Sequence, residues 1–554
     1  MEFTSVNKIF ENSFKKNWDR PAISNYRGET LHYKDVARRM EKLHIMFEEC
    51  GLQKGDKVAI CSRNQANWAV AFLSIMTHGA IPVPLLHEFK SANIHHLVNH
   101  SEAKILFVDE VIWEGLSESE MPDLHAIIQV NNFKILYAND EHIVEAKAHL
   151  NELFGRKYPE AFTSDCINYY EDSADELAVI NYTSGTSGFS KGVMIPYRAI
   201  FSNIEFGRKV LPGLNNTHSV VSMLPCAHMY GLMFELLYEL SVGAHVHFLS
   251  RVPSPKIIMQ ALSEVKPYVV IAVPLVIEKI YKNKVRPIFT KNWIMQLIYS
   301  IGPIRRILHK VAGKKLVEMF GGRLRFFGIG GAKIDSSVER FLRDAKFPYA
   351  IGYGLTECSP LIAGAVGKFP LQTTGPILKW MEVRIGEPNK KGIGEIQVKG
   401  ANIMQGYYKD QMRTEAAFTP DGWFRTKDLG KLDRKGNIYI KGRVDNMLLG
   451  ANGENIYPEE IETVIRENDF VLECLVTKKN DKMVAKVYFN YDQIEQLKEF
   501  NELTFEEKLA KIKKELLDYV NDKVNKSSKI SEIIEQQVPF EKTATQKIKR
   551  FLYT

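Results

Sequence analysis

The chain has 554 residues, 45% hydrophobic and 25% charged, and its 73 Lys and Arg against 66 Asp and Glu leave a net charge of +7. This is ordinary globular composition with ample material for a core, so intrinsic disorder is excluded. So modest a surplus over this length does not indicate a nucleic-acid partner.

At the N-terminus, MEFTSVNKIFENSFKKNWDR lacks both the apolar run and the small-residue cleavage site of a secretory signal. The segments DKVAICSRN then QANWAVAFLSIMTHGA, and KPYVVIAVP then LVIEKIYKN, each read as a β-branched strand followed by a helix. That alternation predicts an α/β fold, a large N-terminal body of βα units with parallel sheets. The longest strongly apolar run, YVVIAVPLVI at 268–277, is well short of the ~20 residues that span a bilayer, so no transmembrane helix is expected. Cys50, Cys61, Cys166, Cys226, Cys358 and Cys474 form no CxxC or other metal-ligand pair. Scattered thiols of this kind suit a reducing compartment, so a cytoplasmic location and mostly buried thiols are expected.

Residues 281–320 carry nine basic side chains against one acid, Glu318, a larger surplus than that of the whole chain. Trp293, Ile294, Leu297, Ile298, Ile301, Ile304, Ile307 and Leu308 recur there at mostly three- and four-residue spacing, as in an amphipathic helix. Such a segment either makes peripheral contact with an anionic membrane or forms a solvated helical pair packed on the core. From about Gly375 the texture changes to short alternating segments, MEVRI, GEIQVKG and NIYIKG, which read as a small antiparallel β region. A lysine-rich C-terminal part follows, with a helix expected over 505–524. The domain boundary is placed near Asp445, giving a body of 1–444 and a small α+β domain of 445–554.

One strip, YTSGTSGFSKG at 182–192, is almost entirely small, hydroxylated or cationic. Its glycines allow an anion close to the backbone, its hydroxyls donate hydrogen bonds, and Lys191 adds charge. It is not a Walker A loop, because the lysine precedes the final Gly192 instead of following it. Taken alone, a flexible turn and a nucleotide site explain it equally well.

Further along stand GIGGAKI (328–334), IGYGLTECSP (351–360), DGWFRTKDLG (421–430), GRVDNMLLGANGENIYPEEIE (442–462) and FEKTATQKIKR (540–550). Together with the first strip, in this order, they resemble the adenylate-forming superfamily of acyl-CoA synthetases, luciferases and peptide-synthetase adenylation domains. The resemblance runs from RGETLHYKDVARRM near the start to the last ten residues.

It implies a site that takes ATP, Mg²⁺ and, as co-substrate, coenzyme A. Thr183, Ser184, Gly185, Thr186, Ser187, Gly188 and Lys191 would hold phosphates. Gly330, Gly331 and Ala332 would border the purine, Tyr353 and Gly354 would carry it, Thr356 would meet the α-phosphate and Glu357 the metal. Asp428 would accept the ribose hydroxyls, with Arg443 donating from the other side. Where the family usually has glycine this chain has Lys427, which reads as a surface variation. Lys547 would be the catalytic lysine, acting with Thr186 and Glu357, although FEKTATQK departs from the family's PSGK. Asp445 would be the hinge of a mobile C-terminal domain, and Gly453 would leave room for the thiol arm.

The implied chemistry is attack of a carboxylate on the α-phosphorus with loss of pyrophosphate, then transfer of the acyl group to coenzyme A. Amino-acid-activating relatives place an aspartate in the motif matching LPCAHMYG (224–231), where this chain has Ala227 and His228. An α-amino acid is therefore disfavoured. The apolar MYGLMFELLYEL and the basic-apolar 281–320 are most like long-chain fatty acyl-CoA synthetases. His228 would gate the acyl site or sit as a core histidine. Transfer to a carrier protein, and a non-enzymatic binding protein on this fold, are the alternatives.

Overall fold

The computed structural model describes residues 2–183, 190–211, 213–249, 254–367, 369–449, 455–479, 482–495, 497, 503–525, 528–542 and 548–553. Two sheets with parallel centres form the body. The larger has eight strands in the order Leu361–Val366, Tyr349–Gly354, Phe326–Ile329, Val269–Ala272, Ser219–Ser222, His245–Phe248, Pro21–Asn25 and Thr30–His32, antiparallel only at its two edges. The second orders Ile81–Leu85, Lys57–Cys61, Ala103–Val108, Ala126–Gln129 and Ile135–Ala138, with only the last pair antiparallel. Inner strands such as Val269–Ala272 are buried on both faces, which is why they read as unbroken β-branched runs. The helix Ala66–His78, buried at every position but its last, lies between layers and so is apolar all round. Both sequence-predicted βα units are thus present.

Neighbouring parallel strands end along the same sheet edge. That edge therefore collects the loops that follow Ser222, Ala272, Ile329 and Gly354, the usual place for a ligand in an open α/β sheet. The segments predicted to be antiparallel form the four-stranded sheet Met381–Gly386, Gly394–Gly400, Phe424–Leu432, Ile438–Arg443.

Beyond Arg443 a short 3-10 turn, Val444–Asn446, leads to a separate apolar cluster that includes Ile461, Ile465, Val476, Val487 and Leu516. It is built from the sheet Val471–Lys479, Lys482–Phe489, Glu532–Glu535 and the helices Pro458–Ile465 and Phe505–Lys523. The last of these matches the expected helix to within a residue. Arg286 pairs with Asp469, and Ser336 donates to Glu467, joining this part to the body.

Between Tyr281 and Phe320 lie the helices Arg286–Thr290, Trp293–Ser300 and Gly302–Met319. One face packs inward, where buried His309 bridges the Tyr299 hydroxyl (2.8 Å) and Asp344 (3.1 Å). The opposite face leaves Trp293 73%, Leu297 60% and Ile307 60% exposed. Among the described residues no helix is long and apolar enough to cross a membrane. All six cysteines are free, and five of them are buried, as the sequence suggested.

Candidate active site

The loop after Ser222 is fixed by three polar clamps. Buried Glu235, in a π-helical turn Met233–Leu237, accepts from the Ser222 hydroxyl and the backbone N–H groups of Met223 (3.0 Å) and Leu224 (2.9 Å). Full burial pushes its carboxyl up to about 8, towards the neutral form. Asn64 donates to the Leu224 carbonyl (2.6 Å) and accepts from the Cys226 N–H (2.8 Å), while Asn181 donates to the Ala227 carbonyl (2.8 Å). Asn181 lies on the strand Leu177–Thr183 that leads into the hydroxyl-rich strip, so the two motifs are tied together.

These clamps set His228 at the start of the short helix Met229–Leu232 and send the Tyr230 ring over the end of the strand Phe326–Ile329. A Cβ on Gly330 would come within 2.9 Å of that ring. Gly330 is therefore needed to seat Tyr230, a role the sequence did not reveal. Gly331 and Ala332 are exposed just beyond it.

On the next strand Tyr353 is only 6% exposed, and its hydroxyl donates to Asp428 (2.8 Å). Asp428 and Arg443 are direct partners across the antiparallel pair Phe424–Leu432 and Ile438–Arg443, with their charged ends 3.4 Å apart. Cross-strand register thus brings together an acceptor and a fork of donors suited to a vicinal diol. The preceding Lys427 has φ +58°, the left-handed region that glycine enters without strain. This explains the family's glycine there and sets a cost of about 1–2 kcal/mol on the lysine. The Lys427 ammonium reaches Asp445, the expected hinge, at 3.7 Å.

Past Gly354 the chain makes a 3-10 turn, Thr356–Cys358. One oxygen of Glu357 accepts from the Tyr407 hydroxyl at 3.0 Å. The other oxygen is left for a hard cation, and phosphate and water oxygens would have to complete its shell, as Mg²⁺ sites commonly require. Among the described residues no group of three or more His, Cys, Asp or Glu could hold a metal ion by itself, so Glu357 would serve the metal as a single protein ligand. Thr183 and Lys191 are register partners that bracket the hydroxyl-rich strip. The Lys191 ammonium lies 4.9 Å from the centre of the Tyr407 ring, and burial depresses its pKa. Ser184, Gly185, Thr186, Ser187, Gly188, Gly453 and Lys547 lie outside the described residues.

Residues 10–408 match the AMP-binding enzyme family. Among curated proteins, the chain is 26% identical to the human long-chain-fatty-acid–CoA ligase ACSBG2, over 97% of this chain and 83% of that protein. It is 28% identical to the Saccharomyces cerevisiae long-chain-fatty-acid–CoA ligase 1, over 85% and 73%. Among solved structures, ATP-bound MatB from Rhodopseudomonas palustris superimposes with a TM-score of 0.76 at 21% identity, covering 99% of this chain and 98% of that one. The anthranilate CoA ligase AuaEII with anthranoyl-AMP gives 0.77 at 18%, over 100% and 97%.

Proposed function

Because the chain belongs to the AMP-binding enzyme family, we propose that it is an AMP-forming fatty acyl-CoA ligase. It joins a fatty acid of medium or long chain to the α-phosphate of ATP, and then passes the acyl group to coenzyme A. The observation that carries this reading is the convergence of Tyr353, Asp428 and Arg443 on one cluster next to the turn that bears Glu357.

In the first half-reaction a carboxylate oxygen attacks the α-phosphorus and the bond to pyrophosphate breaks, which needs no general base. Asp428 and Arg443 hold the ribose, Tyr353 and Gly354 the purine side, and Gly330, Gly331 and Ala332 its border. Thr183 to Gly188, Lys191, Thr356 and Lys547 offset the crowded phosphate charge. Bound at Glu357, Mg²⁺ supplies positive charge to the phosphate oxygens. In the second half-reaction the thiolate sulfur of coenzyme A attacks the acyl carbonyl and AMP leaves. Residues 445–554 turn about Asp445 between the two steps, and Gly453 then borders the thiol arm. His228 gates the carboxylate end of the acyl site.

The acid is assigned from Ala227 and His228, which offer no carboxylate to an ammonium group, and from the relatives named as long-chain-fatty-acid ligases. A panel of acids from acetate to octadecanoate, assayed with free coenzyme A, is expected to give kcat/KM at least about a hundredfold higher for the longer acids than for acetate. Acid-dependent pyrophosphate release without acyl-CoA would favour a carrier-protein acceptor. No acid-dependent ATP–pyrophosphate exchange with any acid would favour a binding protein.

Peripheral contact with the surface of an anionic membrane, from the cytoplasmic side, belongs to the same reading. Trp293, Leu297 and Ile307 face outward on adjoining helices among Lys291, Arg305, Arg306 and Lys310. Apolar insertion flanked by cations is how a helix lies in a lipid interface, and it would place the enzyme where fatty acids partition. Vesicles of phosphatidylglycerol are expected to sediment the protein and vesicles of phosphatidylcholine to do so weakly. Combined Trp293→Ser, Leu297→Ser and Ile307→Ser should abolish sedimentation with no change in AMP formation from a short soluble acid. Equal binding of the triple variant removes the contact.

A further inference from the structure

Lined by Tyr407, whose hydroxyl binds Glu357, lies a cavity of about 270 Å³ that shares Lys191 with the phosphate-holding strip and whose other cations the ligase reading does not use. Its walls come from separate elements: His96 and His100 on the helix Ser91–Ser101, Ser190 to Gly192 at the start of the strand Lys191–Pro196, and the run Tyr407 to Asp410 with Arg413. Lys191, Lys409 and Arg413 supply three cations against one lining acid, Asp410. Arg413 pairs with Asp410 at 3.0 Å. Lys409 pairs with Glu102, which stands just outside the lining, at 2.9 Å. The Tyr408 hydroxyl and the Lys409 ammonium hold the Glu102 carboxyl low, at about 2, so it remains an anion that helps to position Lys409. The two imidazoles are 5.8 Å apart, and His100 accepts or donates at the Tyr182 hydroxyl over 2.6 Å.

The cavity is thus polar and cationic, in contrast to the apolar core around it. It is somewhat smaller than the ~300–1,000 Å³ usual for drug-sized ligands and has room for a diphosphate. Tyr407 joins it to the reaction: its hydroxyl binds Glu357 and its ring faces the Lys191 ammonium. A half-buried lysine whose ammonium lies near other cations gains most from an anion with several oxygens.

We propose that this cavity receives pyrophosphate as it leaves the α-phosphorus, with Lys409 and Arg413 as positioning cations that draw it past Lys191. This rests on the adenylation reading. The same phosphoanhydride chemistry is present in the tail of bound ATP, so the test must separate product from substrate.

The measurement is made on the full chain with Arg413→Gln and Lys409→Gln, neither of which is assigned to the reacting atoms. ATP–pyrophosphate exchange gives the KM for pyrophosphate, forward AMP formation gives the KM for ATP, and calorimetry gives the Kd for Mg-pyrophosphate alone. Loss of one charge-assisted contact is expected to raise the KM and the Kd for pyrophosphate about tenfold, with the KM for ATP changed less than twofold. Unchanged pyrophosphate constants overturn the proposal. An equal rise for ATP also overturns it, by giving the cavity to the substrate's tail. Normal AMP formation in the variants shows that they fold. A wild-type protein that forms no AMP but binds pyrophosphate here would fail the ligase reading and keep the site.

Discussion

Lys547→Ala is expected to slow acyl-adenylate formation about 10²–10³-fold, the usual cost of removing one preorganised electrostatic stabiliser. Thioesterification of a supplied acyl-adenylate should change by less than about tenfold, because the triphosphate has already gone. The charge argument requires a cation between the entering carboxylate and the phosphates, since both are anionic before the new bond forms. Four cations crowd this tail, and three of them are committed elsewhere. Lys542 pairs with Glu473, Lys549 reaches Glu541 at 3.4 Å, and Arg550 pairs with Glu462. Alanine at Lys542 or Lys549 should therefore leave adenylation within a few-fold of wild type. Exchange assays and single-turnover transfer from a supplied adenylate measure the two halves separately. Equal loss in both, or a larger loss from Lys542→Ala, would remove Lys547 from its role.

What the sequence disclosed follows from how local each signal is. The βα units, the antiparallel region and the helix Phe505–Lys523 are written in short-range periodicity, and each occurs where its pattern lies. Asp428 and Arg443 could be singled out because they sit in motifs with distinctive neighbours, but only cross-strand register shows that they face each other. Lys427 seemed a mere surface change, since a one-letter code carries no φ; its left-handed backbone gives the position a conformational meaning.

Tyr230 and Tyr407 escaped notice for a different reason. An aromatic residue in an apolar stretch looks like core, and the partners that give these two a role, Gly330 and Glu357, are remote in the chain. Two acids, Glu235 and Glu239, stand inside the apolar MYGLMFELLYEL, and both are buried. Glu235 binds the loop that sets His228 and Tyr230, whereas the Glu239 carboxyl accepts no hydrogen bond among the described residues and burial pushes it towards the neutral form.

Gly354→Ala is expected to abolish the site outright, with AMP formation down about a hundredfold or more and a clear fall in Tm. A Cβ there would stand 1.7 Å from the carbonyl oxygen of Pro360, inside the edge ladder where the register shifts between Tyr353 and Gly354. Backbone cannot yield as a side-chain tip can, so the strand Leu361–Val366 would have to move by more than about 1 Å. That strand is held in turn by Asn402, which donates to the Leu361 carbonyl at 2.6 Å. Displacement would pass directly to Thr356 and Glu357, and a shift of about 1 Å in a reacting geometry is enough to cost on the order of 10² in rate. Gly155→Ala is the matching control, because that glycine lies within the helix Leu150–Lys157 with open space around the new methyl group. It should leave activity unchanged and add about 0.5–1 kcal/mol of stability. Full activity in Gly354→Ala would mean that this turn does not hold the nucleotide.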